Sequence, residues 1–132
     1  MKTNKGFSLV ELIIVIAIMA ILLGVLAPQY IKYVERSRLS ADEDIAQSLL
    51  DSAHVLISDE EHIDDVADGD TITFSSAGIV GSSTGVTSAL LEYYSDDLPA
   101  KKPKSRSYKN LSYVITFSQK SNGDFVLEWG WQ

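Results

Sequence analysis

The chain has no cysteine, so disulfide staples and thiolate metal sites are excluded. That absence leaves the compartment open, because many exported proteins also manage without disulfides. Histidine is scarce too: His54 and His62 are the whole supply. No Gly-x-Ser-x-Gly elbow, phosphate loop or metal-binding histidine pair occurs, so neither enzyme activity nor a cofactor is expected. Basic residues are few, 11 against 18 acids, for a net charge of −7. A surface that acidic repels phosphate backbones, which makes nucleic acid an unfavourable partner. No internal repeat and no long linker divides the 132 residues, a length that suits one small domain.

What the sequence has in excess lies at its start. The opening reads MKTNKGFSLVELIIVIAIMAILLGVLAPQ, and from Leu12 to Ala27 no polar side chain interrupts it. Counted from Phe7 the stretch is about 20 residues, enough for a helix to cross a bilayer. Lys2 and Lys5 precede it and predict that this end stays in the cytoplasm. A cleaved secretory signal would have a shorter apolar core and a small-residue cut site, and Ala27-Pro28-Gln29 is a poor one. A plain signal anchor fits the length but gives no reason for Glu11. A core helix of a soluble domain would not be apolar all round at the end of so small a chain.

Glu11 is the residue that needs explaining. A carboxylate in an apolar span costs about 2 to 4 kcal/mol and asks for a partner, unless it snorkels to the headgroups. Gly24 and Pro28 form a second pair. Pro28 has no N–H to give the carbonyl of residue 24, and glycine is a weak helix former, so the helix is softest between them. The sequence allows either a fixed kink at the membrane exit or a segment that bends.

The string Lys5-Gly6-Phe7-Ser8-Leu9-Val10-Glu11-Leu12 resembles the prepilin cleavage and methylation motif of the type IV pilin and pseudopilin superfamily. The likeness covers roughly the first thirty residues and is specific there. It implies that a membrane prepilin peptidase cuts between Gly6 and Phe7 and methylates the new Phe7 amine. It implies that Glu11 meets the amine of a neighbouring subunit and sets register in a helical filament. It also implies that Gly24 to Pro28 bends or melts during packing, that an inner-membrane platform drives assembly, and that no cofactor is used. Residues 1–6 would then be a leader, 7–28 a transmembrane and filament-core helix, and 29–132 a soluble head. Loss of the leader removes two lysines, leaving 9 basic residues against 18 acids.

Beyond the span, Ile31, Val34, Ala41, Ile45, Leu49, Ala53 and Leu56 recur at helical spacings. Glu35, Arg36, Arg38, Asp42, Glu43 and Asp44 fall largely between them and are expected on the solvent side. The helix is predicted to run from Phe7 to Ile57, about 75 Å at 1.5 Å per residue. Ser58–Asp70 is acidic and reads as a solvated loop, its spacing failing a calcium loop at Val66 and Ala67. Thr71–Phe74 suits a strand and Ser75–Thr87 a surface loop. Val86–Tyr94 suits a short helix with Leu90, Leu91 and Tyr94 on one side, stopped at Leu98-Pro99. Lys101, Lys102, Lys104, Arg106 and Lys109 form a basic loop, read as solvated, as facing the acidic region of a next subunit, or as holding a polyanion. Asn110-Leu111-Ser112 fits the short glycosylation acceptor pattern.

Tyr113–Ser118 and Phe125–Trp129 alternate as strands about Lys120-Ser121-Asn122-Gly123-Asp124, with Asn-Gly as the hairpin turn. Trp129 and Trp131 are expected in core and edge packing. The fold class expected is α+β, one long helix packed on an antiparallel sheet, which is also the pilin architecture. The sequence lacks the C-terminal cysteine pair of many Gram-negative major pilins. Leu98-Pro99-Ala100-Lys101-Lys102-Pro103 also lacks the Pro-x-Asp-Pro-Trp-Gly segment of major pseudopilins. Those two absences point to a Gram-positive type IV pilin. The alternatives are a pseudopilin of a secretion or DNA-uptake system and a membrane-anchored polyanion-binding module.

Overall fold

The computed structural model describes residues 6–93 and 101–132. Helix α1 spans Leu9–Ser58, continuing through Pro28. A 3-10 turn, Ile63–Asp65, leads to strands β1 (Thr71–Ser75) and β2 (Gly78–Gly81). Helix α2 (Thr84–Tyr93) follows, then β3 (Tyr113–Gln119) and β4 (Phe125–Trp131). All pairings are antiparallel, in the order β2-β1-β3-β4. The expected α+β plan of a long helix on an antiparallel sheet is therefore the observed one.

The chain divides into two units, Met1–Glu35 and Arg36–Gln132. In the second, α1 presents Ala46, Leu49, Leu50, Ala53 and Leu56 to the sheet. The sheet answers with Ile72, Phe74, Ile115, Phe117 and Leu127, and α2 closes the core with Val86, Ala89 and Leu90. Cross-strand register puts Phe74, Tyr113 and Trp131 in one row. Trp131 lies 5.8 Å from Phe74 and 5.4 Å from Tyr113, ring centre to ring centre. Such aromatic rows add to sheet stability beyond the area they bury.

Several expectations need correction. Ser75–Thr87 is not a loop, because Gly78-Ile79-Val80-Gly81 pairs with β1 and α2 already starts at Thr84. The small polar residues there make turns and a helix cap rather than open chain. Helix α2 buries Val86, Ala89 and Leu90 while Leu91 stays exposed. Tyr94 and Leu98-Pro99 lie outside the described residues. On α1, Ile31 and Ala41 are exposed and Asp42 is buried. The β3–β4 hairpin is present, but Asn122 does not take the left-handed conformation that a two-residue Asn-Gly turn requires. Only Gly123 does (φ 92°), closing a longer loop in which its N–H donates to the Lys120 carbonyl at 2.9 Å. Trp129 is 54% exposed and meets the His54 ring in a T-shaped contact, with ring centres 6.3 Å apart, rather than the core.

Candidate functional site

The first turn of α1 gathers the sequence-marked residues. Gly6 and Phe7 precede the helix, and Phe7 is 95% exposed. Ser8 accepts the Glu11 N–H on its hydroxyl oxygen at 3.2 Å, and the Glu11 carboxylate accepts the Ser8 N–H at 2.9 Å. This is a reciprocal capping box, which satisfies two donors that a helix start leaves open. A negative side chain there also suits the positive end of the helix dipole. The Ser-x-x-Glu spacing carried that signal, and reading Glu11 only as an intramembrane charge missed it.

From Leu9 to Leu26 every large apolar side chain is exposed, and none of the most apolar 18-residue window is buried within the chain. The helix is long and apolar enough to cross a membrane. Gly24 and Pro28 lie within it, with open space where a Gly24 Cβ would stand. The helix is unbroken at both positions.

The outer part of α1 holds a second constellation. Asp42, fully buried, accepts the Lys104 N–H at 2.9 and 3.0 Å on its two oxygens and the Ser105 N–H at 2.8 Å. The Tyr108 hydroxyl donates to Glu43 at 3.1 Å, and its ring stacks on Trp131 at 3.9 Å. Burial, with the Glu43 carboxylate beside it, raises the Tyr108 phenol above its usual range. The backbone of the basic loop is thus gripped by α1, while Lys101, Lys102, Lys104, Arg106 and Lys109 stay exposed. The signal for Asp42 was its position, since 42, 46, 49, 53 and 56 form one stripe at spacings of four and three.

The acidic stretch after α1 is likewise tied down rather than merely solvated. Asp59 is held below the usual carboxylate range by the Glu61 N–H and then by the Tyr93 hydroxyl, at 3.0 and 2.9 Å. Asp68 accepts the Gln119 N–H at 2.7 Å. Burial works against charge on Asp70, but the Ala67 N–H and the Ser82 and Ser83 hydroxyls, each at 2.9 Å, outweigh it and lower its pKa. Ser83 also accepts the Val86 N–H at 3.3 Å, at the start of α2. Each carboxylate serves a different join. Among the described residues no three histidine or acidic side chains converge as metal ligands.

Comparison with known proteins agrees with both halves of the molecule. Residues 1–27 match the prokaryotic N-terminal methylation motif. A fimbrial protein of Pseudomonas aeruginosa is 30% identical over 130 residues, spanning 93% of this chain and 84% of that protein. The type IV major pilin protein PilA of Myxococcus xanthus is 34% identical over 64 residues, 48% of this chain and 29% of PilA. A type IV major fimbrial protein FimA of Dichelobacter nodosus is 51% identical over 37 residues, 28% of this chain and 24% of FimA. No solved structure gives a significant match. With a methylation motif at its start and a fimbrial relative aligned along nearly its whole length, the chain belongs to the type IV pilin family.

Proposed function

We propose that this chain is a pilin subunit of a type IV pilus used in surface motility, adhesion or aggregation. The observation that carries the reading is the uncovered apolar span of α1, of which none of the most apolar window is buried. Apolar surface on that scale is not left in water. Lipid covers it first, as a single-pass membrane segment, and neighbouring helices cover it afterwards in an extracellular filament. Membership in the family makes the role structural rather than enzymatic.

In this reading a prepilin peptidase removes residues 1–6 and methylates Phe7. Residues 7–28 span the bilayer and then form the filament core, and 29–132 form the head. The inner-membrane platform moves subunits between bilayer and filament. Glu11 pairs with the Phe7 amine of the next subunit. A buried pair of this kind adds little net stability against an apolar replacement, but a misplaced subunit leaves two charges unpaired. Gly24 and Pro28 supply the bend that packing requires. The Gram-positive source rested on two absences, and the relatives named above come from Gram-negative bacteria; the proposal does not include it.

The test is the mass of the N-terminal peptide of protein sheared from native cells. The expected peptide begins at Phe7 with one added methyl group and is abundant in the sheared fraction. The same peptide confined to membranes would replace the pilus with a pseudopilus. An intact leader from Met1 to Gly6 on the functional protein would overturn the reading. Salt-sensitive polyanion binding by residues 29–132 would favour the tethered binding module instead.

A further inference from the structure

His62 stands between two carboxylates on different elements. Its Nδ1 lies 3.3 Å from an Asp65 oxygen on the 3-10 turn, and its Nε2 lies 3.2 Å from a Glu92 oxygen near the end of α2. Its side chain is only 12% exposed. The Tyr93 ring meets it edge-on with centres 5.9 Å apart, and the Tyr93 hydroxyl reaches back to Asp59.

An ionised carboxylate only accepts hydrogen bonds, and a neutral imidazole donates from one nitrogen only. With Nδ1 donating to Asp65, the neutral ring leaves an unprotonated Nε2 3.2 Å from a Glu92 oxygen. The imidazolium keeps the Asp65 hydrogen bond and meets Glu92 as an ion pair. The arrangement observed is thus the one that the protonated ring suits better.

We propose that His62 is an acid-strengthened clasp: protonated, it joins Asp65 and Glu92 and fastens α2 to the segment that follows α1. Among the described residues the carboxylates around it favour the cation: Asp59, Glu61 and Asp65 face it from its own segment and Glu92 from α2, where the Tyr93 ring also meets it. The hydrogen bond to Asp65, opposed by desolvation and helped by Glu92, Asp59 and Glu61, raises the His62 pKa above the ordinary imidazole value. The sign follows from that direction. The clasp's contribution is complete below the ordinary imidazole value and is lost as pH rises through the raised one.

The test is hydrogen exchange of the full chain in detergent micelles at about pH 5.5 and about pH 8.5, either side of the imidazole range. Rates are corrected for intrinsic pH dependence, and β3 amides serve as the internal reference. Amides of residues 84–93 are expected to be protected roughly twofold to fivefold more at the acid pH, the scale of partly exposed ion pairs. His62→Gln keeps a donor but does not titrate, and should flatten that difference. Glu92→Gln, at an exposed position, should reduce it while leaving β3 unchanged. Equal protection of the wild type at both pH values would overturn the proposal, as would an acid gain that survives in His62→Gln.

Discussion

Ser8 and Glu11 share one hydrogen-bonded turn, yet separate substitutions would pull their roles apart. Ser8→Ala removes the hydroxyl that accepts the Glu11 N–H and should weaken the helix start by about 1 kcal/mol. It leaves the carboxylate charged, so the filament yield from sheared cells should stay near normal. Glu11→Gln keeps an oxygen for the Ser8 N–H but removes the charge. If Glu11 pairs with a neighbour's amine, that amine is then left alone in an apolar layer, at a cost of about 3–5 kcal/mol. Sheared filaments should fall well below wild type while membrane insertion persists. Normal filament yield from Glu11→Gln would leave Glu11 with capping alone. Gly85 gives a second residue-scale test, because a Cβ there would stand 2.5 Å from the Asp65 carbonyl oxygen. Backbone cannot retreat as a flexible side chain can, so Gly85→Ala should cost about 1–3 kcal/mol in thermal or urea melts. An unchanged melting curve would mean that α2 and the 3-10 turn can separate freely.

Between elements, the join that matters most runs from α1 to the basic loop. Asp42→Ala deprives the buried Ser105 N–H and the half-buried Lys104 N–H of their acceptor. At about 1–3 kcal/mol for each unsatisfied group, the loss should be about 2–6 kcal/mol, with Asp42→Asn in between. Denaturant melts check this, and a change below about 1 kcal/mol would show the loop relaxing to find other partners. The same join shows what sequence reading can and cannot reach. The outer half of α1 and strands β3 and β4 were legible because their periods, 3.6 and 2, persist over many residues. The membrane-sized apolar run was legible from its unbroken length instead, and α1 begins at Leu9, two residues after the expected Phe7. Asp42 was not, because a carboxylate on a helix is ordinarily solvated and the two N–H groups that justify its burial lie 62 and 63 residues away. Strand β2 was hidden by its four residues and two glycines, which read as turn material until β1 is beside them. His62 was visible as a scarce residue, but its two carboxylates become neighbours only once α2 packs against the 3-10 turn.

For the molecule as a whole, the burial pattern separates folding from assembly. Among the described residues every buried core residue falls between Ala46 and Leu127, inside the unit Arg36–Gln132, and the first unit contributes none. The core therefore owes little to the apolar span, whose side chains stay exposed and, in the proposed role, are left for lipid or other copies. A chain beginning at Gln29 keeps all of that core, the Asp42 join and the four-stranded sheet. It should be soluble and monomeric, and should unfold in a single cooperative transition. Its Tm should lie within about 4 °C of the full chain's head in detergent, the shift that about 1 kcal/mol produces in a domain this small. Circular dichroism melts and sedimentation check both points. A fragment with native helix content but no cooperative melt would mean that the span, or a neighbouring subunit, completes the core. Folding and filament assembly would then be one event, and substitutions such as Asp42→Ala would have to be measured in the filament instead of the subunit.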